Sequence, residues 1–145
     1  ARGAVPALEG LPEFPYLPGI TPAFTQHFDY PWATQRPPFT GADRPEIQGF
    51  VRPGTGGGPV DPAMLLALVD AWPAPVLSMA HGLAPASTVT WMVDVVGPLD
   101  ASPEDERFWW FEGRATAAGD GPKGFSFELS FSGSACPAIS DAPPW

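Results

Sequence analysis

One acidic side chain stands alone in the most apolar part of this sequence. Asp70 is the only charged residue between Pro62 and Ala80. General bases in enzymes are often carboxylates in partly buried, apolar surroundings. The structural alternative places Asp70 on a solvent-facing strip near the end of a helix. The residue types therefore make Asp70 a candidate base and leave both interpretations open.

Thr88 is a second candidate, because it begins a β-branched stretch just after Pro85-Ala86-Ser87. A threonine hydroxyl both donates and accepts hydrogen bonds, so it could position a water molecule. An ordinary strand residue is the alternative, since β-branched residues are common in strands. The sequence contains no G-x-S-x-G motif, and its two histidines and one cysteine form no recognisable constellation for a covalent nucleophile.

Composition excludes several classes of protein. The chain has 145 residues, of which 44% are hydrophobic and 12% aromatic, enough for one domain with a core. A net charge of −9 argues against a nucleic-acid partner. Two histidines and one cysteine fall short of a structural zinc site. No apolar stretch approaches the ~20 residues of a membrane helix. We expect a cytoplasmic protein with no membrane segment, metal or cofactor.

Proline and glycine mark the domain boundaries. Residues 1–22 carry five prolines and predict an extended arm or a linker. Residues 23–132 hold the alternating and apolar segments of a folded domain, and residues 133–145 predict an irregular tail. Scattered arginines within the domain could flank a groove for an anionic ligand or simply be solvated: Arg36, Arg44 and Arg52.

The elements that would position Asp70 and Thr88 follow from periodicity. Asp61-Pro62 is a strong helix start, and Pro73 ends a helix predicted over 62–72. Its apolar residues cover most of the circumference, which predicts burial of Leu65, Leu66, Leu68 and Val69. Strands are predicted over 24–32, 46–52, 88–96, 107–118 and 125–131. This order predicts an α+β fold, with a curved antiparallel sheet wrapped around one long central helix.

Three segments carry a resemblance to a known family. They are GFVRPGTGGGPVDPAMLLALVDAWPAPVL at 49–77, APASTVTWMVDVVGPL at 84–99 and RFWWFEGRATAAGDG at 107–121. Together they resemble the C-terminal half of type II acyl-CoA thioesterases over roughly residues 20–121. The resemblance implies a hot-dog fold, of which that family carries two units in one chain. It also implies an acyl-CoA substrate.

The resemblance also implies roles for single residues. In that family a helix Asp, a strand Thr and a Gln near the end of the last strand hold the water that attacks the thioester. The first two correspond to Asp70 and Thr88. A backbone N–H near the helix start would stabilise the oxyanion, and the acyl chain would run near Leu66, Trp72 and Trp91. The Gln has no counterpart, because every Gln of the sequence precedes the helix: Gln26, Gln35 and Gln48.

Two alternatives remain open beside the hydrolase. A non-catalytic hot-dog module, either acyl-binding or a dimer scaffold, is favoured by the missing Gln and by the −9 charge, since coenzyme A is itself anionic. The second alternative is a hot-dog hydratase, but the predicted helix does not contain the His-x-Gly signature of that class. In each case a lone unit would leave sheet edges and apolar surface uncovered. We therefore expect pairing with a second hot-dog unit, in the same parent chain or as a homodimer.

Overall fold

The secondary structure defines an α+β architecture. A computed structural model describes residues 4–34, 36–54, 60–83, 92–93, 108–118 and 125–136. Its antiparallel sheet has the order β1-β2-β3-β4, made by β1 (Phe28–Asp29), β2 (Glu46–Pro53), β3 (Phe108–Ala118) and β4 (Phe125–Cys136). One α-helix, α1 (Pro62–Asp70), lies in the described part of the chain, together with the 3-10 segments Ala23–His27 and Pro75–Met79.

The start of α1 matches the sequence prediction in atomic detail. Asp61 is the N-cap, and its Oδ1 accepts a hydrogen bond of 2.7 Å from the Met64 N–H. Pro62 occupies the first helical position, where its missing N–H costs nothing. The helix ends at Asp70, before the predicted end at residue 72, and Ala71 is its C-cap. Pro73 follows two residues later and cannot continue the helix.

Strands β2 and β3 present two different faces. On one face lie Ile47, Val51, Trp109 and Phe111, which belong to the hydrophobic core. The other face carries the polar pair Gln48–Glu112, joined at 3.1 Å, and the ion pair Glu46–Arg114, joined at 2.6 Å. It also carries Phe50 and Trp110, whose rings meet edge to face at 5.0 Å. The adjacent tryptophans that blur the alternation of β3 thus lie on opposite faces, and both are buried.

The core forms where α1 packs on the first of these faces. Leu65, Leu68 and Ala71 of the helix region join the strand residues in one buried cluster. Leu68 is fully buried, and burying a side chain of this size stabilises the fold by about 1.5–3 kcal/mol. The remaining members of the cluster are Tyr30, Trp32, Val60 and Trp72.

The side of α1 that faces away from the sheet is more exposed than predicted. Leu66 is 41% exposed, whereas Leu65, Leu68 and Val69 are buried as expected. Ala63, Ala67 and Asp70 are exposed as well. Residues three, four and seven positions apart share one helix face, so these four side chains form a single exposed strip. The described residues cover α1 on one side only, and a helix enclosed all round by the sheet is not what they show.

The strand predictions agree with the structure for β2 and β3 and differ elsewhere. The segment predicted as a strand over 24–32 instead forms the 3-10 segment Ala23–His27 and the two-residue strand β1. Strand β4 continues past residue 132 to Cys136, into the range expected to be irregular. The strand predicted over 88–96 lies outside the described residues except for Met92 and Val93, which have no regular structure.

Part of the N-terminal arm lies against the domain. The Phe14 N–H donates to the Tyr30 carbonyl at 2.9 Å, and the Trp32 N–H donates to the Pro12 carbonyl at 2.9 Å. Glu13 and Pro31 form an antiparallel bridge between them. The Phe14 ring stacks on Trp32 with a centroid distance of 4.7 Å. This arm segment, Pro12–Phe14, therefore runs beside residues 30–32 as a short extra strand.

Among the described residues, one segment has the length and composition of a membrane span, although no such segment was expected from the sequence. Residues Pro62–Met79 have a mean hydropathy of 1.4 over 18 residues. The segment is not one continuous α-helix, because α1 ends at Asp70 and a 3-10 segment begins at Pro75. The core helix of a folded domain has the same composition, and Leu65 and Leu68 are buried in the domain core.

Candidate functional site

Asp70 lies at the C-terminal end of α1 with its side chain exposed. In the part of the chain that the structure describes, its carboxylate has no hydrogen-bond or ion-pair partner. Of the two interpretations of Asp70 from the sequence, its exposure matches the solvent-facing strip. An exposed carboxylate at the end of an apolar helix face is nevertheless free to bind a water molecule.

The exposed strip leads along α1 to that carboxylate. We call Ala63, Leu66, Ala67 and Asp70 the open face of α1. Three of its four side chains are apolar, and the fourth is the single charge of the segment. An exposed apolar strip that ends at a single carboxylate is a candidate contact surface for a ligand or a partner.

The other predicted site residues have different places. Trp72 is 6% exposed and stacks on Phe111, with ring centroids 4.5 Å apart and planes 5° from parallel. The ring also meets Trp32 at 5.3 Å, so Trp72 is enclosed by core side chains. Thr88 and Trp91 lie outside the described residues. The structure thus places Asp70 and Leu66 on the open face and Trp72 in the core beneath.

Tyr30 is a neighbour of the site that the sequence did not reveal. Its hydroxyl donates to the carbonyl of Ala71 at 3.2 Å, next to Asp70 in the chain. Burial raises the pKa of Tyr30, so the hydroxyl stays protonated and remains a donor. The partners are 41 positions apart, and the residues around Tyr30 were predicted as an ordinary strand. No local pattern would have connected them.

Two of the three glutamines are described, and both amide groups are engaged. The Gln48 side chain donates to Glu112 Oε1 at 3.1 Å, and the Gln26 side chain donates to the Ala23 carbonyl at 2.7 Å. Gln35 lies outside the described residues. Both described glutamines precede α1 in the chain, so neither lies on a strand that follows the helix.

The three arginines considered for an anionic ligand do not line one common groove. Arg36 and Arg44 line a shallow cleft of about 250 Å3 together with Asp43 and Glu46, whose charges oppose theirs. Arg52 instead pairs with Asp29 at 2.8 Å on strand β1. Within the described ranges, no group of three His, Cys, Asp or Glu side chains could hold a metal ion.

The sheet and the helix packed on it indicate the structural class of the protein. An antiparallel sheet with one helix packed on its face is an α+β arrangement compatible with a hot-dog unit. Residues 5–122 match the family model of the acyl-CoA thioesterase C-terminal domain. The chain belongs to this family, which confirms the resemblance seen in the sequence.

The matched range shows which parts of the chain the family shares. It contains α1 with Asp70, the position of Thr88 and the arm segment Pro12–Phe14, and it ends before β4. The matched range therefore includes the arm segment that contacts residues 30–32. No match was found among curated proteins or among solved structures. Family membership makes this an acyl-CoA thioesterase-like hot-dog protein.

Proposed function

We propose that this protein hydrolyses acyl-CoA thioesters with a water molecule held by Asp70 and Thr88. The observation that carries the proposal is the place of Asp70, exposed at the end of the open face of α1, in a chain of the thioesterase family. The family supplies the substrate class, and the open face supplies a surface that an acyl chain could follow.

The chemistry needs few groups, because a thioester carbonyl is a good electrophile. The Asp70 carboxylate orients the water and takes its proton, while the Thr88 hydroxyl holds the water in line with the carbonyl carbon. The new C–O bond forms, the tetrahedral intermediate collapses and the C–S bond breaks. The proton held by Asp70 then passes to the leaving thiolate of coenzyme A.

The length of α1 limits where the oxyanion is stabilised. Asp70 ends the helix and Pro62 begins it, and at about 1.5 Å per residue these ends lie roughly 12 Å apart. Attacking water and carbonyl lie within about 3.5 Å of each other in a reactive geometry. The backbone N–H groups at the start of α1 therefore lie at the opposite end of the helix from the Asp70 carboxylate. We propose that a closer donor comes from another element or from a second hot-dog unit.

The acyl chain is proposed to run along Leu66, the largest exposed apolar side chain of the open face. Trp72 lies in the core beneath this region, and Trp91 is proposed to complete the wall. A second hot-dog unit, from the same parent chain or from another copy, would cover the open face. A cytoplasmic location and the absence of a cofactor belong to the same proposal.

A second candidate function is a non-catalytic hot-dog module that binds acyl groups or supports a partner. The observation that favours it is the set of glutamines. None follows α1 in this sequence, and Gln26 and Gln48 are engaged in bonds of their own. An incomplete set of water-holding residues would leave the binding surface intact while slowing hydrolysis.

An assay with acyl-CoAs of several chain lengths separates the candidates. Release of the coenzyme A thiol is followed in time, and ligand contact to tryptophan signals is measured in parallel by saturation-transfer NMR with a non-hydrolysable thioether analogue. Steady release of thiol supports the hydrolase. Tryptophan contact without turnover supports the binding module. If the protein shows no turnover and no ligand contact at millimolar ligand, both candidate functions are excluded.

A further inference from the structure

The last turn of α1 is held by a side chain from a distant part of the sequence. The final carbonyls of an α-helix lack intrahelical donors. Here Tyr30, 3% exposed, donates its hydroxyl to the Ala71 carbonyl at 3.2 Å. Ala71 is itself helical in φ and ψ and is not the left-handed glycine that ends many helices. Tyr30 therefore acts as the cap of this helix end.

Tyr30 is in turn fixed from three sides. Its N–H donates to the Glu13 carboxylate at 3.1 Å, and its carbonyl accepts the Phe14 N–H at 2.9 Å. Its ring meets Trp72 edge to face, with centroids 5.6 Å apart and planes 86° from parallel. Asp29, the residue before it, pairs with Arg52 across β1 and β2. A side chain held this firmly can transmit its position to the helix end.

We propose that Tyr30 is a positioning residue for Asp70, fixing the last turn of α1 and so the direction of the carboxylate. The proposal rests on the function proposed above. Tyr30 bonds the residue that follows Asp70 and touches neither the water nor the acyl group. The arm segment Pro12–Phe14 holds the Tyr30 backbone in place through Glu13 and Phe14. In this proposal the segment supports the site and is not a spacer.

The test is Tyr30→Phe, which removes the hydroxyl and keeps the ring. The matched control is Tyr16→Phe, because Tyr16 is the only other tyrosine and is exposed. Amide hydrogen exchange reports on the helix end, where the Ala71 N–H donates to the Ala67 carbonyl. Loss of one hydrogen bond predicts exchange about two- to tenfold faster at Asp70 and Ala71, with the β2–β3 amides unchanged. The control leaves all of these rates unchanged.

Steady-state kinetics test whether Tyr30 acts through Asp70. Tyr30→Phe is expected to lower kcat by up to about tenfold with KM unchanged, because the bound acyl chain keeps its contacts while the water loses its alignment. In an Asp70→Asn background the same substitution is expected to cost nothing further, since two residues that act as a unit are not additive.

The outcomes separate this proposal from the function on which it rests. Unchanged exchange at Ala71 in Tyr30→Phe overturns the positioning role, whether or not the protein turns over acyl-CoA. Faster exchange spread equally over the β2–β3 amides also overturns it, because the tyrosine would then support only the fold. Additive losses in kcat with Asp70→Asn overturn it as well. Normal turnover in Asp70→Asn, by contrast, overturns the proposed function.

Discussion

Glu13 accepts the Tyr30 N–H while it loses part of its hydration. This desolvation raises the pKa of Glu13 above the ordinary value of 4.5, and the charge of Asp29 adds to the effect. The hydrogen bond from Tyr30 and the charge of Arg52 oppose it. A carboxyl group whose pKa is higher in the folded than in the unfolded protein binds its proton more tightly when folded. Its ionisation therefore destabilises the fold as pH rises.

Glu13→Gln tests whether ionisation of Glu13 lowers the stability of the fold. The amide keeps an oxygen acceptor for the Tyr30 N–H and cannot ionise. Between about pH 4 and about pH 7, we expect the free energy of unfolding of the wild type to fall relative to that of the variant. The effect is small, since Glu13 as a whole is exposed. Urea unfolding at several pH values measures it, with Glu9→Gln as the control for an exposed acid of the same arm. A wild type that gains stability with pH relative to Glu13→Gln contradicts the account.

Gly49 makes room for Trp72. A methyl group at Gly49 would lie 2.5 Å from Trp72 Cη2 and 2.7 Å from the Pro31 carbonyl oxygen, closer than van der Waals contact allows. Gly49→Ala is therefore expected to lower the free energy of unfolding by about 1–3 kcal/mol, the usual cost of overpacking. Gly82→Ala is the control, because nothing lies within 4 Å of a methyl group there. Equal urea midpoints for the two variants would show that Trp72 is not seated on Gly49.

At the scale of elements, the N-cap of α1 gives a direct prediction. Asp61→Ala removes the carboxylate that accepts the Met64 N–H at 2.7 Å. Loss of such a cap costs about 1 kcal/mol, within a range of about 0.5–2 kcal/mol. Asp43→Ala removes a carboxylate from another exposed position and is expected to have little effect. Thermal unfolding of both variants checks the prediction, which fails if Asp61→Ala melts at the wild-type temperature.

The elements that the sequence predicted well are those with strong local signals. Asp61-Pro62 specifies a helix start, and the apolar, β-branched residues of β2 and the aromatic run of β3 specify strands. The exposure of Leu66 was missed because this residue is as apolar as the buried residues of α1. Leu65 and Leu66 are identical in type, and only packing against the sheet decides which of them is buried.

The candidate site was predictable only in part. Asp70 could be singled out because it is the one charge in an apolar segment. Its neighbour Tyr30 could not, because the hydrogen bond to Ala71 connects residues 41 positions apart and depends on tertiary packing. The same holds for Glu13 and Phe14, since a proline-rich arm gives no periodic signal for the residue pairs it forms.

At the scale of the whole molecule, the open face of α1 and the edges of the sheet argue for a partner. Among the described residues, β1 and β4 each pair with one neighbouring strand only, and unpaired strand edges and apolar strips are liabilities for a monomer. In the absence of an upstream unit, we expect two copies of the chain to pair. Light scattering is then expected to give twice the single-chain mass of 15.3 kDa. The single-chain mass at the highest concentration would contradict pairing.

The replacement of Asp70 by Asn tests the central claim most directly, with kcat for acyl-CoA hydrolysis and the melting temperature measured on the same samples. The variant keeps the shape of the side chain and loses the charge that takes the proton from water. Because Asp70 is exposed and without a partner among the described residues, we expect an unchanged melting temperature. We also expect kcat to fall by about 10²-fold or more, while Asp43→Asn keeps wild-type values of both. Wild-type kcat in Asp70→Asn, or a loss of kcat that follows a loss of stability, would contradict the account.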